Sequence, residues 1–264
     1  MELQSIDDVI SELDKIILDS EKKHDALGYF AVLYQRVTVK VKEGIENDYF
    51  DDGPRMEQLD IVFAKRYIDA YHSHQQKGNI TESWNEAFVL SKNYWAVVLQ
   101  HLLIGINAHI NLDLGIAAAD ICREKKIADL LDDFNKINEI LASLVGEVQN
   151  NLSAIWPALK WILKLSGKID DLLVDFSMKL ARDGAWRFAE SISLIEFDNW
   201  QEHILTRDKK VALKAALITK PGPFIRFVFF FVRLGEMGSV AEKINKLKYI
   251  EPDKELLKKI RGIR

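Results

Sequence analysis

Five prolines and thirteen glycines are all that punctuate this chain of 264 residues, and that scarcity bounds the fold more tightly than any motif. Hairpins and short sheet turns draw on glycine and proline at fixed places. With so few of either, long helices are favoured, and the expected class is all-α: a single multi-helix, bundle-like domain over 1–264. Apolar spacing agrees. Ile6, Val9, Ile10, Leu13, Ile16 and Ile17 recur at helical period behind Ser5 and Asp8, which are spaced as a capping box. Val37, Val39 and Val41 alternate as in a strand, yet Phe30, Leu33, Val37 and Val41 share one helical stripe, and no hairpin partner follows. Residues 24–46 therefore read as helix.

Gly53 and Pro54 open a further helix to about His74, proline being tolerated where the N–H has no partner anyway. Ser83 and Glu86 are spaced as a second capping box, opening a helix near Trp84 that runs to about 108 or onward, with 84–120 central to the fold. Asn111 and Asp113 read as caps of a new helix toward Cys122. Residues 124–149 form another, Ser153 and Pro157 start the next, and helices at 168–182 and 185–205 are separated by the turn-like Arg182-Asp183-Gly184. KPGP at 220–223 is the clearest break. The run FIRFVFFFVRL, 224–234, is far short of the roughly 20 apolar residues that a bilayer span needs. It reads as a core helix, with a surface-anchoring helix as the alternative.

One cysteine, Cys122, forbids an intrachain disulfide and a cysteine-rich zinc site. The acidic, amphipathic N-terminus has no basic start or apolar run of a secretory signal, so a cytoplasmic protein is expected. Net charge is −4 but uneven: residues 241–264 hold 8 Lys/Arg against 4 Asp/Glu. Such a basic tail reads first as a solvated helix face, and otherwise as a contact for anionic lipid. With no basic stripe interleaved with aromatics, no nucleic-acid partner is expected. Phosphate-binding glycine loops, serine-hydrolase elbows and zinc-protease motifs are absent from the sequence.

The stretch HLLIGINAHINLDLG, 101–115, places polar residues in an otherwise apolar run. On a helix with His101 at 0°, Gly105 falls at about 40°, His109 at about 80° and Asp113 at about 120°, with Asn107 and Asn111 well round the other side. His109 and Asp113 can reach one ion, or act as a base and its orienter. His101 lies about 12 Å further along the axis. Glu57 and Asp60 share a face of the 54–74 helix with Tyr67, and facing carboxylates and histidines are how bundles build metal sites. The candidate catalytic residues are His101, His109 and Asp113. The candidate metal ligands are Glu57, Asp60, His109 and Asp113, for Zn, Mn or Fe, with Arg55 and Tyr67 orienting a ligand. A structural polar network is the competing reading of the same residues. An arginine of RDGAWRFAES, Arg182 or Arg187, is a further candidate, to hold an anionic substrate.

The blocks DDGPRMEQLDIVFAKRYIDAY and LQHLLIGINAHINLDLG, with the downstream pair Ala185–Trp186, resemble a mostly bacterial, all-helical family without an assigned activity. The resemblance spans roughly 25–205 and implies no mechanism. His101, Gly105 and His109 are also loosely similar to a helical segment of the zinc-dependent phospholipase C and nuclease group. The chain departs from that group's Gly-Asp pair, having Gly105–Ile106, and only His203 follows His109. The expected function is a pocket between the 54–74 and 91–120 helices that takes a divalent metal or a small polar ligand, with hydrolysis the reaction it would serve. The alternative is a non-catalytic helical protein that docks to a membrane surface or partner through 224–234 and the basic tail.

Overall fold

The computed structural model describes residues 3–157 and 178–248, and among these there is no strand. Helix α1 (Ile6–Lys23) opens on the expected capping box: Ser5 Oγ accepts from the Asp8 amide and Asp8 Oδ2 accepts from the Ser5 amide. Helix α2 (Leu27–Glu46) follows after His24, whose φ of 53° ends α1 in the left-handed region. Helix α3 (Gly53–Gln75) is capped by Asp52, which accepts from the Arg55 amide at 3.0 Å, with proline in its first turn.

Helix α4 (Glu82–Leu90) is shorter than the spacing suggested, and its cap is Thr81 rather than Ser83. Ser83 is buried inside the helix, and the first-turn amides of Glu82 and Ser83, which have no partner within the helix, donate to Asp208 at 2.6 and 2.9 Å. The chain then breaks and resumes as α5 (Val98–Ala108), a π-helical segment (His109–Asp113) and α6 (Leu114–Ile121) in one rod. Asn111 and Asp113 are therefore not caps. Their side chains bond to Asn107, and to Trp84 and Arg66, so a continuous backbone passes through them. This rod is the one helix among the described residues long and apolar enough to cross a membrane, and 94% of its apolar window is buried in protein, as in a core helix.

A 3₁₀ turn (Ile127–Leu130) leads into α7 (Leu131–Ile155), whose Asp133 accepts from the amides of Asp51 and Asp52 and so ties α7 to the start of α3. Ser153 lies within α7. The helix expected from Pro157, and most of the one at 168–182, lie outside the described residues. Helix α8 (Met178–Ser193) runs straight through Arg182-Asp183-Gly184, where a break was expected. Packing overrides the turn signal: Ala185 is fully buried, its carbonyl so close to Gly115 that a β-carbon there would approach it to 2.7 Å. The break falls later, before the 3₁₀ turn Phe197–Asn199 and α9 (Trp200–Thr219).

Helix α10 (Pro223–Gly235) corrects the core-helix expectation. Only Phe229 and Val232 are buried, while Phe227, Phe230, Phe231 and Leu234 are 45–61% exposed. Its phenylalanines recur on more sides than one interface can cover. Helix α11 (Val240–Lys248) corrects the solvated tail: Ile244 and Leu247 are buried, and buried Lys243 pairs with Glu236 at 2.8 Å. Residues 249–264 of the basic stretch lie outside the described part. One hydrophobic cluster joins buried residues from Ile6 in α1 to Leu247 in α11, with the α5–α6 rod contacting α2, α3, α4, α8 and α9.

Candidate functional site: a buried cavity on the central rod

Glycine at 105 sets the geometry. A β-carbon there would fall inside the Phe30 ring, so the absent side chain admits Phe30 of α2 against α5. Phe30 occupies the room that the helical wheel left between the two histidines. His101 packs on Tyr29, ring centroids 5.5 Å apart, and burial lowers its pKa to about 4. His109 turns instead into an aromatic cage, stacked on Phe63 at 3.6 Å and edge-on to Tyr34 at 4.4 Å. The two histidines do not share a site.

Past that cage lies a cavity of about 410 Å³ between α2, α3, α5 and α7, within the range of small-molecule sites. Its walls are almost wholly apolar, with Val37, Leu59, Leu103 and Leu141 among them. The polar exceptions include Tyr34, Asp60, His109 and Arg182. Asp60 Oδ2, His109 Nε2, and Nε and Nη1 of Arg182 are buried and have no hydrogen-bond partner. The Tyr34 hydroxyl lies beside that of Thr38, one turn on, without a bond of good geometry. Unpaired buried polar atoms cost free energy. Here five of them belong to side chains that line one cavity.

His109 is held from behind. Its Nδ1 lies 3.2 Å from Asp113 Oδ2, which also accepts from Trp84 Nε1 at 2.8 Å, while Asp113 Oδ1 accepts from Arg66 Nε at 2.8 Å. Burial would raise the Asp113 pKa, but Arg66 and the hydrogen bonds from His109 and Trp84 outweigh it and hold the carboxyl below its usual range. An ionised Asp113 only accepts, so the His109 proton sits on Nδ1 and Nε2 keeps an unpaired lone pair beside the cavity that His109 lines. Burial lowers the His109 pKa and keeps the ring neutral at neutral pH. Asp60 is shifted the other way: burial, with Glu57 nearby, pushes its pKa up to about 8. At neutral pH the cavity therefore has a carboxylic acid O–H as donor and an imidazole nitrogen as acceptor.

The π turn makes this arrangement possible. By adding a residue to the helical path it keeps Asp113 behind His109 while Asn107 and Asn111 face α9. There Asn107 donates to the Val211 carbonyl at 3.0 Å, and Arg207 donates to the Asn111 carbonyl at 2.8 Å. Such turns recur at functional sites.

The other candidates are placed elsewhere. Glu57 accepts from the Ile6 amide and serves the start of α1. Arg55 faces Asp133 at 3.5 Å. Tyr67 packs edge-on to Phe30 at 5.1 Å and is not a wall of the cavity. Glu57, Asp60, His109 and Asp113 thus do not converge as metal ligands, and among the described residues no group of three or more His, Cys, Asp or Glu is placed to hold a metal ion. The residues that reasoning from the sequence left out of the site are Tyr34, which lies beside Leu33 of the α2 stripe, and Arg66, which lies one residue from the chosen Tyr67.

An all-α protein with an apolar, polar-tipped cavity beside a carboxylate–histidine pair is the class that fold and site define. Within that class, a model of a family of unknown function, DUF5995, matches residues 6–221, and the chain belongs to that family. No curated protein and no solved structure matches it.

Proposed function

We propose that this chain binds a small, largely apolar molecule in the cavity between α2, α3, α5 and α7, with Asp60 as hydrogen-bond donor and His109 Nε2 as acceptor for a neutral polar group on it. The observation that carries this reading is an otherwise apolar cavity whose wall residues Asp60, His109 and Arg182 carry buried polar atoms without partners. The metal-hydrolase reading of the sequence has less behind it. It keeps the Asp113–His109 pair, which suits a general base, but among the described residues no group of three or more His, Cys, Asp or Glu is placed to hold a metal ion. The test is titration of the ligand-stripped protein with the neutral fluorescent probe N-phenyl-1-naphthylamine, wild type beside Leu103→Trp and Leu59→Trp. Saturable binding in a one-to-one ratio, weakened at least tenfold by either indole with circular dichroism unchanged, is expected. Binding that ignores both substitutions would overturn the reading.

The exposed face of α10 favours a second reading, docking on an anionic bilayer surface. Phe227, Phe230, Phe231 and Leu234 are exposed, Trp95 stacks on Phe230 at 5.3 Å, and exposed Leu213 and Leu217 of α9 lie in the preceding turns. Arg226, Lys214 and Lys220 on the same two helices are exposed cations. Apolar insertion with a cationic rim is how an interfacial helix binds anionic lipid. Cosedimentation with phosphatidylglycerol-containing vesicles, lost in the double variant Phe227→Glu/Phe231→Glu and weakened by salt, is expected. Truncation after Lys248 tests the remaining tail without removing the buried part of α11.

A further inference from the structure

A neutral ligand leaves the charge of Arg182, a described wall residue, unanswered. Its side chain rises from α8 with 1% exposure, donates from Nη2 to the Phe134 carbonyl at 2.6 Å, and lies 5.2 Å from the centre of the Phe134 ring. Nε and Nη1, which carry three of the five guanidinium N–H groups, have no partner. Other buried or half-buried arginines face carboxylates: Arg36 meets Glu147, Arg55 meets Asp133, and Arg66 meets Asp113. Arg182 has no such pairing among the described residues. Its neighbour Asp183 is exposed. Burial lowers its pKa only to about 10, so it stays charged at neutral pH. A buried charge without a counter-charge is costly, and this one lines the cavity.

The charge balance defines the missing anion. Asp60 is protonated and His109 neutral near pH 7, so among the described wall residues the guanidinium is the one net charge. A group with a single negative charge balances it, and a planar carboxylate matches the guanidinium's fork. A phosphate monoester, at roughly −1.5 to −2, brings charge the wall does not answer. Apart from Asp60, His109 and a few other polar tips, the described wall is apolar.

We propose that the molecule bound here is an amphiphilic monocarboxylate of the fatty-acid class, its carboxylate on Arg182, a neutral polar group of its chain on Asp60 and His109, and its apolar body along α2, α3, α5 and α7. This rests on the cavity-binding reading above and adds the chemistry of the head group. The experiment displaces N-phenyl-1-naphthylamine from the full chain at pH 7 with dodecanoate and with dodecan-1-ol, equal in length and differing in charge. Dodecanoate is expected to compete at roughly ten- to hundredfold lower concentration, as a charge-assisted hydrogen bond requires. In Arg182→Gln that preference should vanish, while the probe and the alcohol bind as before. Equal competition by acid and alcohol, or a preference that survives Arg182→Gln, overturns the head-group assignment and leaves the cavity reading standing. A probe that does not bind wild type overturns both. If Arg182→Gln does not fold, the acid–alcohol comparison on wild type decides, with Arg182→Lys expected to retain part of the preference.

Discussion

Asp60 gives the cavity a pH signature that can be read without any ligand. The carboxyl has a pKa of about 8 in the folded protein, against an ordinary value of 3.8. Between those values the folded chain keeps a proton that the unfolded chain has released, so stability is full at low pH and falls as pH rises through the folded value. Replacing Asp60 with asparagine keeps the shape and removes the titration. From pH 5.5 to pH 8 the wild type should lose about 3 kcal/mol relative to Asp60→Asn, by the linkage relation applied to a folded pKa near 8. His101 and His109, whose lowered pKa values produce the opposite trend below the ordinary histidine range, are common to both proteins and cancel. The assay is urea unfolding of both proteins at several pH values, comparing extrapolated stabilities. The gap should open steadily up to pH 8 and then level. Parallel profiles would mean that Asp60 is solvated and ionised in the folded state. A gap that closes with rising pH would mean that a cation holds it ionised. Either result removes the protonated donor from the site.

Three further outcomes are expected. Asp113→Asn leaves Arg66 without its carboxylate and His109 without its orienting acceptor; it should cost about 3 kcal/mol in denaturant unfolding and shift the emission of Trp84, whose indole donates to the same carboxylate. Gly105→Ala drives a methyl into the Phe30 ring, and thermal melts should show a loss of roughly 1–3 kcal/mol. Asp208→Ala removes the acceptor of two amides at the start of α4 and should cost about 1–2 kcal/mol, with the protection of those amides from hydrogen exchange falling before that of α5.

Local chemistry was legible where it is complete within a few residues. Ser5 and Asp8 cap α1 as their spacing demands, and the stripe of Phe30, Leu33, Val37 and Val41 makes α2 a helix and also a cavity wall. Asp60 and His109 were legible as residues to single out, because a carboxyl and an imidazole on apolar faces need a reason to be there, and both line the cavity. What was not legible depends on what stands opposite. A helical wheel places Gly105 between His101 and His109 but cannot show that Phe30 fills the gap. Asp183-Gly184 carries a turn signal that the packing of Ala185 on Gly115 overrides. The phenylalanines of α10 have core composition, and only the contacts of its neighbours show that most of them face outward.

The π segment also works as a phase offset built into the rod. One residue more than an α-helical path needs turns everything downstream by about 100°. The upstream half is thereby indexed to the cavity, through His109, and the downstream half to α8, through Gly115 and Ala185. The rod acts as a keyed shaft between two halves of the molecule, and the key is a single residue. A chain one residue shorter between His109 and Asp113 would keep its composition and its helicity. It would put α6 out of register with α8, part Asp113 from His109, and leave the cavity with an imidazole of no fixed tautomer.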